Sequence, residues 1–314
     1  MYFCGRKRKN MERMIQRDIY LNKLVSFKDK DVVKVITGIR RCGKSTLLSL
    51  FQRYLKENGV EDKRIISINL ESAIYDNVKN YNDLYSLVRQ KISDDGRYYI
   101  MIDEIQLVPG FEKAVESLRL DYQADIYLTG SNAYMLSSDL ATLLSGRYVE
   151  IRMFPLSFKE YVSQSDEDVE TLFYRFMKYG GFPFLSGETD ENVIDNYLEG
   201  IYATVVLKDV IQKNSVNDPS LMEKILKLAL SSIGSAVSPN SIANTLKSNG
   251  YKVSNETVEK FLDMFCRAYI LHKAVRYDIK GKEYLKTLGK YYVADLGLRN
   301  IILGYRQMEI RSEE

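Results

Sequence analysis

An α/β protein, with a parallel sheet in its first half and mostly helices in its second, is what this sequence predicts. Three observations carry that prediction. Short β-branched or aromatic runs alternate with helically spaced segments from about residue 32 to residue 151. A glycine-bracketed turn, Gly38-Ile39-Arg40-Arg41-Cys42-Gly43-Lys44-Ser45, sits between the first such run and the helix after it. Beyond Pro155 the alternation stops and helical spacing takes over.

The elements follow in order. Residues 32–37 are apolar and β-branched enough for a buried parallel strand, and residues 46–55 have helical spacing. After a polar break at residues 57–63 come a strand at 64–70, a helix at 82–92 and a strand at 97–102 that runs into Asp103-Glu104. A helix at 110–120 and a strand at 125–128 lead to Thr129-Gly130-Ser131-Asn132, then a helix at 132–144 and a fifth strand at 146–151. Such alternation implies right-handed crossovers, helices on both faces, and ligands at the carboxyl ends of the strands.

Composition leaves the field to ordinary globular proteins. The 314 residues are 45% hydrophobic and 28% charged, with a net charge of +3, too small to argue for nucleic-acid binding by the whole molecule. No apolar run approaches the roughly 20 residues of a membrane span. Cys4, Cys42 and Cys266 are odd in number and far apart, which argues against a disulfide framework or a zinc site and for a cytoplasmic location. The basic run from Arg6 to Lys9 is read as a solvated tail or a contact for anionic surfaces, and His272 as a packing residue.

The turn fits the phosphate-loop pattern G-x-x-x-x-G-K-[ST] at every specified position. Its chemistry is specific: tight glycine turns expose successive N–H groups, and the next helix adds its positive end, so anionic phosphates are surrounded by donors. The binding set is Gly38, Ile39, Arg40, Arg41, Cys42, Gly43, Lys44, Ser45 and Thr46, with ATP as ligand. Lys44 neutralises the β- and γ-phosphates, and Ser45 gives a hydroxyl to Mg2+. The plain alternative is a glycine-rich turn with a surface lysine.

An apolar strand ending in Asp103-Glu104 has the form of a Walker B segment. Asp103 is then the acidic partner of Ser45 at Mg2+, and Glu104 takes a proton from the water attacking the γ-phosphate. The intervening strand and the adjacent glutamate resemble the additional-strand, catalytic-glutamate division of phosphate-loop ATPases. In that division the next strand ends in a residue sensing the γ-phosphate. Ser131 and Asn132 are chosen for it over Thr129, against the alternative of a turn whose polar side chains bond their own backbone. Arg147, just before the fifth strand, stands where oligomeric ATPases often place an arginine finger; a surface salt bridge is the other reading.

The stretches Ile36 to Leu48, Ile102-Asp103-Glu104-Ile105-Gln106, Leu128-Thr129-Gly130-Ser131, Gly146-Arg147-Tyr148, Phe154 to Phe158 and Tyr179-Gly180-Gly181-Phe182-Pro183 together resemble a prokaryotic family of AAA-type ATPases. That family is related to archaeal ATPases, and its members carry a C-terminal domain of unknown function. The resemblance implies ATP hydrolysis and supports Lys44, Ser45, Asp103 and Glu104, with Ser131 and Arg147 less directly. Family members usually continue into a domain similar to PD-(D/E)xK nucleases, so the chain is expected to be shortened at its C-terminus.

In the second half, helices are expected at residues 157–162, 166–178 and 191–213, with capping-box spacing at Ser157/Glu160 and Ser220/Glu223. Gly180-Gly181-Phe182-Pro183 reads as a hinge or as a packed turn. Helices at 221–233, 239–248 and 255–269, then strands at 274–279 and 283–293, have the order of a winged helix. Its third helix is acidic, carrying Glu256, Glu259 and Asp263, whereas the hairpin carries Lys273, Arg276, Lys280, Lys282, Lys286 and Lys290. A protein-docking or intramolecular role is favoured over DNA binding for this module.

The expected architecture is therefore a P-loop NTPase parallel sheet, AAA-like, followed by a helical lid and a winged-helix domain. Its bounds are a tail at 1–16, the ATPase core at 17–155, the lid at 156–217, the winged helix at 218–300 and a tail at 301–314. The expected activity is ATP hydrolysis coupled to a partner; a low-turnover ATP switch and a DNA-binding protein with an accessory nucleotide site are the alternatives. The expected partners are ATP, a protein, a second copy of the chain, and DNA weakly through residues 273–290, with no membrane.

Overall fold

The computed structural model describes residues 15–131, 144, 146–212, 214, 216–275 and 289–305. The chain divides into two units: one takes in the chain up to Gly38 together with Cys42–Met153, the other Ile39–Arg41 and everything from Phe154 on. Among the described residues no helix is long and apolar enough to cross a membrane.

The first unit opens with α1 (Asp18–Ser26) and then alternates β1 (Val33–Thr37), α2 (Lys44–Glu57), β2 (Ile65–Asn69), α3 (Tyr81–Arg89), β3 (Tyr98–Asp103), α4 (Phe111–Asp121), β4 (Ala124–Gly130) and β5 (Tyr148–Arg152). All strand pairings are parallel, in the order β2-β3-β4-β1-β5, so β4 is inserted between β1 and β3. Every residue of β1 and β3 is buried, which is why their sequences are apolar runs without alternation. Leu47, Leu50, Phe51 and Leu55 of α2 are buried, as are Ala114, Val115 and Leu118 of α4, each worth about 1.5–3 kcal/mol where the side chain is large. Helix α3 starts one residue earlier than expected because Asn80 and Asp83 form a capping box.

A fully buried ion pair ties β1 to β4: Lys34 Nζ lies 2.5 Å from Asp125 Oδ1. Asp125 also accepts from the Tyr127 hydroxyl at 2.9 Å and the Asp29 N–H at 2.8 Å, while Lys34 donates to the Lys30 carbonyl at 2.9 Å. Burial lowers the Lys34 pKa and Asp125 opposes that shift. Such a pair is tolerable because both partners make further hydrogen bonds.

The second unit contains α5 (Phe158–Val162), α6 (Val169–Tyr179), α7 (Glu191–Tyr202), which runs on as a π-helix over Ala203–Gln212, then α8 (Pro219–Ser231), β6 (Ala236–Val237), α9 (Pro239–Ser248), α10 (Asn255–Arg267), β7 (Leu271–Ala274), β8 (Gly289–Val293) and α11 (Leu296–Leu303). The short sheet is antiparallel in the order β6-β8-β7. Ser157 and Glu160 form the expected capping box. Ser220 and Glu223 do not: the Asp218 side chain caps α8 by accepting from Leu221 N at 2.9 Å, and Pro219 takes the first helical position, where its fixed φ and missing donor cost nothing. Strand β7 begins three residues before the expected position, so His272 lies on it, its ring centre 4.6 Å from that of Phe154. The hairpin residues Arg276, Lys280, Lys282 and Lys286 lie outside the described residues.

Within this unit the Arg41 guanidinium lies 5.1 Å from the Tyr197 ring centre, and Tyr197 stacks on Phe184 at 4.4 Å. The glycine pair is a packed turn. Gly180 has φ 80, and a Cβ there would stand 2.1 Å from an oxygen of Asp295. Asp295 accepts from Gly181 N at 2.7 Å and, as the cap of α11, from Leu298 N at 3.0 Å. One carboxyl thus fastens two segments more than a hundred residues apart.

That carboxyl is fully buried, and desolvation pushes its pKa up to about 6 from 3.8, against the pull of the Gly181, Leu298 and Gly297 N–H groups. A raised carboxyl pKa means that the folded state holds a proton the unfolded chain has released. Its contribution is therefore fully present below about 4 and is lost as pH rises through about 6, by roughly 3 kcal/mol. Chemical unfolding of the parent and Asp295→Asn across pH 4–7 should show this slope in the parent alone; parallel curves would contradict it.

Candidate functional site

Parallel pairing brings the carboxyl ends of β1, β3 and β4 to one edge of the sheet: Thr37 is level with Gly130, and Ile102 with Leu128. The three segments leaving that edge are the loop after Thr37, the pair Asp103-Glu104 and the turn at Ser131.

The loop turns at once. Gly38 has φ 146, and a Cβ there would stand 2.1 Å from the Met153 carbonyl oxygen, which only glycine tolerates. Arg41 and Gly43 also have left-handed backbones, at φ 63 and φ 104, and Gly43 caps α2. Cys42 is buried with its thiol 3.7 Å from the Met153 carbonyl; burial pushes its pKa up, opposed by the Lys44 and Arg17 charges. Ser45 is exposed at the start of α2, with Thr46 following it half-buried. Ile39, Arg40 and Arg41 group with the second unit.

Lys44 folds back under the loop, only 4% exposed, and donates to the Gly38 carbonyl at 3.0 Å, with Glu104 Oε1 3.8 Å away. A second buried cation supports the loop from outside the motif. Arg17 donates from its guanidinium to the Cys42 carbonyl at 3.0 Å and lies 4.8 Å from the Tyr20 ring centre. No local pattern around Arg17 announces this contact, which spans 25 positions of sequence.

Asp103 and Glu104 are fixed by one hydroxyl. Thr129 Oγ1 donates to the Asp103 carboxylate and accepts the Glu104 N–H at 3.0 Å. Of the three polar residues ending β4, Thr129 is thus the one committed to holding β3, whereas the Ser131 hydroxyl, 1% exposed, has no hydrogen-bond partner among the described residues. Asn132 lies outside the described residues. Glu104 has a left-handed backbone, φ 54, and its carboxylate accepts from Gln106 Nε2. The other amide atom, Gln106 Oε1, is buried and has no partner among the described residues. An unmade bond at such an atom costs about 1–3 kcal/mol.

Arg147 stands elsewhere. Its carbonyl accepts from Val33 N at 2.9 Å, beside the first residue of β1, so it lies at the edge opposite the loop, roughly 15 Å away along the strand, and it is exposed.

Among the described residues no set of three or more His, Cys, Asp or Glu side chains could hold a metal ion. One carboxylate, Asp103, and one hydroxyl, Ser45, are hard oxygen donors at the same edge. That set suits Mg2+, which keeps several waters and takes its other ligands from phosphate oxygens.

Residues 30–162 match the AAA domain family, and residues 170–309 match a domain of unknown function. The chain is 42% identical over 297 residues to an uncharacterized protein of Haemophilus influenzae, an alignment covering 93% of this chain and 74% of that one. It is 30% identical over 314 residues to an uncharacterized protein of Methanocaldococcus jannaschii, covering 93% and 66%. Among solved structures, a Walker-type ATPase of Pyrococcus abyssi is similar in fold, with a TM-score of 0.62 at 16% identity over 93% of this chain and 96% of that one.

The Thr129 bridge makes a stability prediction. Thr129→Val keeps the shape and removes the hydroxyl, leaving a buried carboxylate oxygen and a buried N–H unpaired, and should cost about 3 kcal/mol in denaturant unfolding. Thr129→Ser should recover most of it. A loss under about 0.5 kcal/mol in the valine variant would show that the bridge holds nothing.

Proposed function

Because the chain belongs to a family of proteins joining an AAA domain to a C-terminal domain of unknown function, we propose that it binds ATP with Mg2+ and hydrolyses it. The observation that carries this reading is the joint placement of Lys44, Asp103 and Glu104, buried and held in place, at the edge where the loop leaves β1.

In this reading the loop from Gly38 to Thr46 wraps the triphosphate with its N–H groups. Lys44 exchanges the Gly38 carbonyl for β- and γ-phosphate oxygens, a stronger partner for an ammonium than a neutral carbonyl. Ser45 and Asp103 hold Mg2+, which neutralises developing charge when bound. Glu104, freed from Lys44, takes the proton of the attacking water. Ser131, whose buried hydroxyl has no partner among the described residues, donates to the γ-phosphate, with Asn132 next to it in sequence. Arg147 is too far from its own loop to touch the nucleotide there, so its role as a finger is toward a second copy of the chain.

The division into a core at 17–155, a helical lid at 156–217 and a winged helix at 218–300 belongs to the same proposal. Three helices, α8, α9 and α10, followed by β7 and β8 support the winged-helix assignment. Through these parts the nucleotide state reaches a protein partner.

Two substitutions test the reading. Lys44→Ala should abolish ATP binding in titration calorimetry, a loss of about 100-fold or more. Glu104→Gln should bind ATP as the parent does while releasing phosphate about 100-fold more slowly or less. Unchanged binding in the first variant would remove the loop as the phosphate site. Phosphate release by the parent indistinguishable from buffer, with binding intact, would favour the low-turnover switch.

A further inference from the structure

We infer that Gln106 positions the attacking water by accepting one of its hydrogens, while its amide nitrogen holds Glu104 to receive the other; this rests on the hydrolytic reading above. Gln106 lies in the short turn Ile105–Leu107 that follows Glu104, and the buried side chains of Ile105 and Val108 anchor that turn. The left-handed backbone at Glu104 starts the turn there, and the Gln106 side chain reaches back to the Glu104 carboxylate.

The amide can sit only one way round. A carboxylate offers acceptors alone, so the nitrogen must face Glu104 and the oxygen must face away. That oxygen, Oε1, is closed off from solvent and has no hydrogen-bond partner among the described residues. What fills it must be a donor. A phosphate oxygen cannot, since it too only accepts, and Lys44 is engaged by Gly38 and faces the other Glu104 oxygen. A water molecule can. The Ser131 hydroxyl, also buried without a partner among the described residues, can donate and so suits the phosphate instead.

These two buried atoms, without a partner among the described residues, therefore sort the reactants: a water against Gln106, a phosphate oxygen against Ser131. In the step that follows, a lone pair of the water oxygen forms the bond to the γ-phosphorus. The bond from that phosphorus to the β–γ bridging oxygen breaks, and its electron pair leaves with ADP. One water proton passes to the Glu104 carboxylate; the other stays on the new phosphate oxygen, held by Gln106 Oε1. An amide that orients water in this manner has precedent in other phosphate-loop proteins.

The test uses the full chain with ATP and Mg2+, comparing the parent, Gln106→Met and Gln106→Glu. Methionine keeps the length without either hydrogen-bonding atom; glutamate keeps an acceptor but loses the donor to Glu104, and it carries the prediction should the methionine variant not fold. Either should lower kcat about 10- to 100-fold while ATP affinity by calorimetry stays within about twofold. A readout independent of turnover is the Gln106 side-chain amide resonance in the nucleotide-free protein, assigned by its loss in Gln106→Met. It should move in Glu104→Ala, where its acceptor is gone. Parental turnover in the Gln106 variants, or a loss of ATP affinity matching the loss of rate, overturns this inference while leaving the site reading intact. A parent with no turnover overturns both.

Discussion

One hydroxyl on β4 keeps the acidic half of this site in shape. Thr129 donates to Asp103 and accepts the Glu104 N–H, so the two residues that close β3 are fastened to the strand inserted between it and the loop-bearing β1. The inserted strand has a structural consequence as well as a topological one. If β3 were adjacent to β1, Asp103 would stand beside the loop on its own strand; here it is set one strand away and needs a fixed partner across the gap. The buried Lys34–Asp125 pair performs the equivalent fastening between β1 and β4 nearer the amino ends of the strands.

Two buried cations beside that frame are both held by partners. Lys44 is buried, and its ammonium is shared between a carbonyl at 3.0 Å and a carboxylate at 3.8 Å. Neither contact is the strongest such a group can make, and in the proposed mechanism both are exchanged for phosphate oxygens. Arg17 adds a second positive charge behind the loop and fixes the Cys42 carbonyl. In the proposed function such a preset loop reduces the ordering that nucleotide binding would otherwise require.

Much of the first unit was legible because its signals are local. An apolar run, a glycine-bracketed turn and an apolar run ending in two acids occupy consecutive positions, and each dictates its own geometry. The contacts that were not legible join distant positions. Arg17 to Cys42, Lys34 to Asp125 and Asp295 to Gly181 each couple residues whose neighbours in sequence give no hint of the partner. Telling Thr129 from Ser131 needs the direction of each side chain at the end of β4, which spacing alone does not supply. At α8 the capping rule was applied to Ser220, where Asp218 with Pro219 satisfies the same donors two residues earlier. Gln106 escaped notice because a glutamine after an acidic pair is unremarkable until its oxygen is found buried without a partner among the described residues.

In the proposed mechanism a triphosphate and its metal ion would occupy the edge of the sheet where Lys44 faces Gly38 and Glu104. A crystal structure of the protein grown with Mg2+ and a non-hydrolysable ATP analogue measures this directly. In such crystals Lys44 Nζ should stand against the β- and γ-phosphates instead of the Gly38 carbonyl, with Ser45 and Asp103 holding the metal. An analogue seated elsewhere, or an ammonium still on Gly38 with the loop empty, would contradict it.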